Sequence, residues 1–292
     1  MSKLSSVNQS LYLLKKTLLS LVRIIAFRPN IFKRIPKLND DSEVYLLANG
    51  PSLKSTLEEY GDYLKSKKTG VVNFFALSPE FGTLKPKYYF LLDQAFFKKN
   101  RDQKLNENIE QLKSALTEVN WPLVLILPKA CKALFSIKNN NITCQFINTN
   151  IFQSFSTIQL TAYKRNWGMP QAQNVLVFAL YALVYLRVPK IYLLGANHNW
   201  HEGMRISEDN KLVLFDPHFY KEDKSETEKI MDVSIAGFFE SLSKAFRGYE
   251  VLRIFAKKHH SDIINLDTTS YIDSFPKETL VTKENTEHGI NR

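Results

Sequence analysis

The chain has 292 residues, which is enough for one large domain or for a core domain with a smaller lid. Hydrophobic residues make up 44% of it and charged residues 23%, as is typical of a globular protein. Of the net charge of +10, residues 1–38 contribute +8, because they contain eight basic and no acidic residues. The rest of the chain is nearly neutral, which argues against a nucleic-acid-binding surface and indicates a basic segment on an ordinary domain.

Cys131 and Cys144 are the only cysteines in the chain. Their spacing matches no zinc motif, and two cysteines do not make a disulfide framework. We therefore expect two small core residues and a reducing compartment.

Residues 9–28 carry apolar side chains at helical spacing, interrupted by basic ones. The apolar positions are Leu11, Leu14, Leu18, Leu21, Val22 and Ile25, and the basic ones are Lys15, Lys16 and Arg23. The uncharged runs of this stretch, such as 17–22, are far too short to span a bilayer. This pattern predicts a basic amphipathic helix, which either lies on an anionic membrane face or packs on the domain or a partner subunit.

These features predict three parts of the chain. Residues 1–38 form a membrane-associating segment, residues 39–275 one domain with a lid at about 196–225, and residues 276–292 a polar tail. The expected location is the cytoplasm, peripheral to the inner face of the cell membrane.

The stretch 44–53 reads as a strand, a tight turn and the start of a helix. The apolar run 44–47 has the length of a buried strand, and Asn49, Gly50, Pro51 and Ser52 form the turn. In an open α/β sheet, this arrangement forms a nucleotide site at the carboxyl end of the first strand. The turn matches neither a dinucleotide fingerprint nor a P-loop, and an ordinary strand-to-helix turn remains the alternative.

The pattern of strand and helix continues along the chain. Strands are predicted at 70–76, 87–93, 121–128, 189–195, 248–255 and 262–267, and helices at 98–119, 171–186 and 226–246, whereas 129–170 looks irregular and the end of the chain from Phe275 looks frayed. The alternation predicts an α/β fold, a single Rossmann-like doubly wound parallel sheet with a lid insertion and an N-terminal basic amphipathic helix.

Polar residues at predicted strand ends are candidates for ligand binding. Asn49, Asn73 and Asp93 each follow a strand, and strand ends of a parallel sheet line one crevice. Asparagine offers both a donor and an acceptor to a base or a ribose. Each of the three, taken alone, is more simply explained as an ordinary loop residue, and their common position at strand ends is what favours a binding site.

The lid contains three of the six histidines. His198 and His201 are three residues apart, which could suit a metal pair, but no third and fourth ligand accompany them and no metal site is expected. His218 is a better candidate for a general base, with Asp216 to orient it. A surface loop histidine is the simpler alternative for His218.

The run 47–53, Leu-Ala-Asn-Gly-Pro-Ser-Leu, resembles the N-terminal motif of the bacterial sialyltransferases that are similar to the Campylobacter enzyme. It also resembles the related domain of motility-accessory glycosyltransferases and archaeal pterin pyrophosphokinases. The order of later elements is similar over about residues 43–270, including the positions of Asn73 and Asp93 and a lid bearing His218 and Tyr220.

The resemblance implies that residues 39–275 form the nucleotide-sugar-binding catalytic domain of a metal-independent, inverting glycosyltransferase that needs no cofactor. It also implies a GT-A-like variant of the Rossmann-like sheet. Such an enzyme would transfer a sugar, sialic-acid-like or other, from a CMP-activated donor to a glycan or glycolipid acceptor of the cell surface. The implied nucleotide-binding residues are Asn49, Gly50, Pro51, Ser52, Asn73 and Asp93, with Gln173 or Asn174 near the phosphate or sugar. His218 would be the base and Tyr220 would contact the leaving phosphate.

Two other functions stay open at this point. A pyrophosphokinase-like transferase would need ATP and a divalent metal, for which the sequence offers few carboxylates. A non-catalytic scaffold held at the membrane by its helix is the other alternative, and homo-oligomer formation is also open.

Overall fold

The computed structural model describes residues 3–27, 43–98, 102–215 and 228–280. Within these residues, seven parallel strands form the central sheet. They are β1 (Val44–Leu47), β2 (Thr69–Val72), β3 (Tyr88–Phe90), β4 (Leu123–Pro128), β5 (Ile142–Ile147), β6 (Lys190–Leu194) and β10 (Asp262–Asn265). A small antiparallel sheet consists of β7 (Met204–Ile206), β8 (Leu212–Phe215) and β9 (Glu228–Met231).

Helices cover both faces of the central sheet. They are α1 (Lys3–Phe27), α2 (Ser52–Lys65), α3 (Glu80–Leu84), α4 (Gln103–Thr117), α5 (Ser156–Lys164), α6 (Val175–Tyr185) and α7 (Ile235–Lys258). Because successive strand residues point to opposite faces, Tyr45 and Leu47 pack with α2, α3 and α4, whereas Val44 and Leu46 pack with α6 and α7. This confirms the predicted Rossmann-like doubly wound α/β fold.

The order of strands across the sheet is β10-β6-β1-β2-β3-β4-β5. From β1 the chain proceeds through β2 to β5 in one direction, and then returns to place β6 and β10 on the other side of β1. The loops after β1 and β6 therefore diverge. Such a switch point opens a crevice at the carboxyl end of the sheet, where ligands of open α/β folds bind.

The predicted strand at 248–255 is wrong, because these residues are the second half of α7. Tyr249, Leu252 and Phe255 recur every three residues and are fully buried against the sheet, which is the spacing of a helix. The helix predicted at 226–246 begins instead at Ile235, after β9.

Two other stretches contain more regular structure than predicted. The segment 129–170, predicted to be irregular, includes the edge strand β5 and the helix α5. The first part of the predicted lid includes β7 and β8. Residues 276–280, placed in the polar tail, run beside β10, where the backbone N–H of Asn265 donates to the Pro276 carbonyl at 2.9 Å and Leu280 is buried.

The N-terminal helix α1 packs on the domain through a narrow face. The Thr17 hydroxyl lies 2.8 Å from that of Ser154, Ser20 bonds the backbone of Gln153, and Ile24 is buried. This is one of the two placements that the sequence left open, and it leaves most apolar side chains of α1 exposed. None of the helices described is both long and apolar enough to cross a bilayer.

Candidate functional site

A cavity of about 850 Å³ lies at the carboxyl edge of the sheet, over the switch point between β1 and β6. Most of the predicted nucleotide-binding residues line it, namely Asn49, Gly50, Pro51, Asn73, Asp93, Gln173 and Asn174. Its volume is within the range of sites for small molecules and cofactors. The loops after six parallel strands, β1 to β6, thus converge on one space, as is usual at the carboxyl edge of such a sheet.

The turn after β1 is tied to the neighbouring strand β6. The backbone N–H of Gly50 donates to the Gly195 carbonyl at 2.8 Å, and Gly195 itself has a φ of +67°. A Cβ at position 50 would lie 2.4 Å from Asn197 Oδ1 and 2.5 Å from the Gly195 oxygen. Only glycine allows this close approach, which carries the buried Asn49 side chain to the cavity wall.

Ser52 lies behind the turn and is not among the residues lining the cavity. Its hydroxyl is 2.9 Å from Asn197 Oδ1 and 2.7 Å from Asp267 Oδ2, and donates to either acceptor. Its backbone N–H also donates to Asn197 Oδ1. In this structure Ser52 therefore fastens the start of α2 to the loops after β6 and β10.

Asn73 follows β2 directly and has a left-handed backbone, with φ of 52°. Asparagine tolerates this conformation better than most residues. The hydroxyl of the buried Tyr89 donates to the Asn73 carbonyl and accepts from the Ala76 backbone N–H. These bonds hold the turn so that Asn73 lines the cavity.

The rim after β3 is more exposed. Asp93 caps the short 3-10 helix Gln94–Phe97 by accepting the Ala95 N–H at 2.9 Å. Lys98 donates to the Gln94 side chain at 2.8 Å, and all three of Asp93, Gln94 and Lys98 line the cavity.

A buried polar cluster lies at the start of α6. The Asn174 side chain caps the helix by accepting the Val177 N–H, and also accepts the Tyr249 hydroxyl at 3.2 Å. His198 Nε2 lies 2.5 Å from that hydroxyl and 3.4 Å from the Asn174 amide nitrogen. Burial lowers the pKa of His198 to about 3, so the ring is neutral at pH 7. His198 lines the cavity as part of a hydrogen-bonded cluster and not as a cation.

His198 and His201, the lid histidines within the described residues, have separate environments. His201 stacks edge-on against Tyr271, 4.5 Å between ring centroids, and does not line the cavity. Glu202 beside it accepts from the Tyr271 hydroxyl and the Asn199 amide, and these bonds lower the pKa of its carboxyl. No group of three or more His, Cys, Asp or Glu residues suited to a metal occurs among the described residues.

His218, Asp216 and Tyr220 lie outside the described residues, so their predicted roles stay predictions. The described lid reaches the cavity through Trp200, Gly203 and Phe215. Phe215, at the end of β8, directly precedes the segment that carries His218.

The lining of the cavity favours recognition by hydrogen bonds over recognition by charge. Within the described part of the chain, its charged residues are Asp93, Lys98 and Glu202, against seven amide side chains. The amides belong to Asn49, Asn73, Gln94, Gln173, Asn174, Asn197 and Asn199. The N-caps of α2 and α6, Pro51 and Asn174, also line it, so two helix N-termini with partial positive charge face the space.

Sequence reasoning missed three residues that organise this site: Asn197, Tyr249 and Asp267. Asn197 follows β6 as Asn73 follows β2, which is a signal that a strand-end search can use. Tyr249 and Asp267 meet Asn174 and Ser52 from 75 and 215 residues away along the chain. A local sequence pattern does not predict contacts between residues so far apart along the chain.

Comparison with known proteins yields little. No protein-family model matches the chain, and no curated protein does. The solved structure of MAf glycosyltransferase from Magnetospirillum magneticum AMB-1 is similar over 83% of this chain, with 12% identity and a TM-score of 0.47. The similar region spans 35% of that protein. Similarity at this level assigns neither a family nor a function.

Proposed function

We propose that the protein is a glycosyltransferase that uses a nucleotide-activated sugar, with a CMP-linked sugar as donor. The observation that carries the proposal is the cavity at the switch point, where Asn49, Asn73 and Asn174 converge from three separate segments. A nucleotide sugar is polar and long, and suits a space of this volume lined by amides.

The amides suit the nucleoside. Asn73 and Asn49 offer donors and acceptors to the base edge and the ribose hydroxyls. The phosphate would lie near the start of α6, where Gln173 and Asn174 line the cavity and the helix dipole favours negative charge. Asp93 completes the proposed nucleotide set on the opposite rim.

The proposed chemistry is a single displacement. The acceptor hydroxyl attacks the anomeric carbon, the bond from that carbon to the CMP phosphate breaks, and the hydroxyl proton passes to His218. Asp216 orients His218, and Tyr220 together with a helix N-terminus stabilises the negative charge on the leaving CMP. The proposal assigns no metal to these steps. The acceptor is a glycan or glycolipid at the inner membrane face.

A nucleotide screen tests this function. Full-length protein is heated with CMP, CTP, ATP or UDP at matched concentrations while unfolding is followed. At one hundred times its dissociation constant, CMP should stabilise the fold by about 2.7 kcal/mol, a rise in melting temperature of roughly 5 °C. A response to ATP alone would support the pyrophosphokinase alternative, and no response to any nucleotide would contradict the proposal.

A further inference from the structure

A second pocket, of about 650 Å³, lies between α1 and α7, and its basic side chains do not line the cavity at the sheet edge. Helix α1 contributes Tyr12, Lys16 and Arg23, and helix α7 contributes Lys244 and Arg247. Against these four cations stands one carboxylate, that of Glu240. The pocket is therefore strongly basic, although the body of the protein is nearly neutral.

Most of this positive charge is not neutralised within the protein. Lys244 is paired with Glu240 at 2.8 Å. Among the residues that the structure describes, Lys16, Arg23 and Arg247 have no ion pair with a carboxylate. Clustered unpaired cations repel one another, so an anion bound among them is stabilised. Arginine in particular matches phosphate oxygens with its fork of donors.

Uncharged donors complete the pocket. The side chains of Gln153, Gln159, Gln171 and Ser243 line it, and Gln153 is held in place because its backbone bonds both ways with the Ser20 hydroxyl. Amides and a hydroxyl beside guanidinium groups are suited to a phosphodiester with polar substituents.

The basic row of α1 lies directly beside an apolar row. Tyr12, Lys16, Leu19 and Arg23 follow one line along the helix. Leu11, Leu14, Leu18 and Val22 follow the adjacent line, and Lys15 lies between the two. The apolar side chains are exposed, with Leu18 at 57%, Val22 at 60% and the nearby Ile25 at 74%. Exposed apolar residues in a continuous row indicate a surface that another phase or partner covers.

We propose that α1 lies on an anionic lipid surface, with a lipid phosphate headgroup in the pocket between α1 and α7 and the apolar row in the acyl boundary. A lipid presents a phosphate next to hydrocarbon, which is the order of the basic and apolar rows on α1. The 25 residues of α1 include four basic and no acidic side chains, which matches a negative surface. This inference is independent of the proposed catalysis.

The test is flotation of full-length protein with vesicles of phosphatidylcholine alone or mixed with phosphatidylglycerol. The pocket variant Arg23→Ala/Arg247→Ala is compared with Lys15→Ala/Arg253→Ala, which removes the same charge from the same two helices but outside the pocket. All four side chains are exposed, and matched thermal unfolding curves verify that both variants fold.

The wild type should float with anionic vesicles and not with neutral ones. Each basic residue near the surface contributes about fivefold, so the pocket variant, which removes two of them, should bind anionic vesicles about 30-fold more weakly. The control should lose at most about fivefold, because Arg253 lies on a different side of α7 from Arg247 and only Lys15 is near the surface. Leu18→Ser/Ile25→Ser should also weaken flotation.

Three results would overturn the assignment. Equal loss in both charge variants would show that only net charge matters. Binding of soluble glycerol 3-phosphate in the pocket without vesicle binding would make a free phosphate the ligand. Binding of an RNA oligonucleotide that depends on Arg23 and Arg247, again without vesicle binding, would assign the surface to nucleic acid.

Discussion

The two pockets of this protein differ in how they can recognise a ligand. The cavity at the sheet edge is lined by seven amides and, among described residues, by a single cation, Lys98. The pocket between α1 and α7 has four cations and one carboxylate. The first favours shape and hydrogen bonding, and the second favours negative charge. Among the described residues that line the two pockets, the cations therefore concentrate between α1 and α7 and not in the proposed nucleotide site.

The two pockets also differ in how firmly they are built. Gly50, Asn174, Asn197 and His198 are held from behind by hydrogen bonds and close backbone contacts. The long basic side chains of the second pocket extend from two helix surfaces. Amide side chains that are already held in place lose little conformational entropy when a ligand binds. Flexible basic side chains instead gain binding free energy from electrostatic attraction to an anion, which salt weakens. The following experiments separate these two modes.

The largest effect is expected at the proposed base. His218→Ala should reduce sugar transfer by about 10²–10⁴-fold, because no group then accepts the proton from the attacking hydroxyl. Folding should be unaffected, as measured by circular dichroism. His201→Ala is the matched control, because His201 packs on Tyr271 away from the cavity, and it should retain transfer. Near-normal transfer by His218→Ala would remove His218 from the mechanism.

One added methyl group at Gly50 should disrupt the turn after β1. Gly50→Ala places a Cβ within 2.5 Å of the Asn197 side chain and the Gly195 carbonyl, and should lower the free energy of unfolding by about 3 kcal/mol. Gly61→Ala is the control, because its Cβ meets no atom within 4 Å in the middle of α2, and it should stabilise the protein by about 0.5–1 kcal/mol. Denaturant titration measures both, and equal effects would refute the close approach.

Because His198 is buried, we expect the free energy of unfolding to depend on pH. Its pKa of about 3 in the folded protein is below the unfolded value of about 6.5. Protons therefore bind the unfolded chain first as the pH falls. Stability from this group is complete above pH 6.5 and should fall by about 2 kcal/mol between pH 7 and pH 5.

The measurement is urea unfolding of wild type and His198→Gln at both pH values. The variant should lack this part of the loss, while histidines elsewhere contribute equally to both proteins. An identical pH dependence in the two proteins would mean that His198 titrates normally.

The smallest effect is expected from salt on the first pocket. Raising sodium chloride from about 0.05 to 0.5 M shortens the Debye length about threefold. CMP affinity should change by less than about threefold, while binding to anionic vesicles should fall by tenfold or more. Calorimetry and flotation measure the two. A steep salt dependence of CMP binding would show that the cavity depends on cations after all.

Much of the fold could be predicted because strands of a doubly wound sheet are buried on both faces. Runs such as 44–47 and 123–128 stand out as apolar, and the first polar residue after a strand marks the carboxyl edge. This pattern identifies Asn49 and Asn73. The failure at 248–255 has the same origin, since a glycine followed by an apolar run also describes the buried half of α7. There, Gly248 allows close packing, with its Cβ position 3.2 Å from the Gln171 carbonyl.

The rest of the site depends on contacts between distant parts of the chain. Ser52 has the sequence context of a ligand-binding turn, but Asn197 and Asp267 engage its hydroxyl in this structure. The spacing of His198 and His201 could suit a metal pair, whereas His198 is buried against the Tyr249 hydroxyl and this burial keeps its ring neutral. Such partners are set by tertiary structure, which local pattern does not encode.

Calorimetric titration with CMP shows whether the amide-lined cavity binds this nucleotide. Wild type should bind CMP, and Asn73→Ala should bind about tenfold more weakly, which corresponds to one hydrogen bond of about 1.4 kcal/mol. Asn210→Ala is the control, because Asn210 shares the left-handed backbone, with φ of 54°, but lies outside the cavity. Its affinity should equal that of wild type. No binding of CMP by the wild type, or equal affinity in Asn73→Ala, would contradict the proposed nucleotide site.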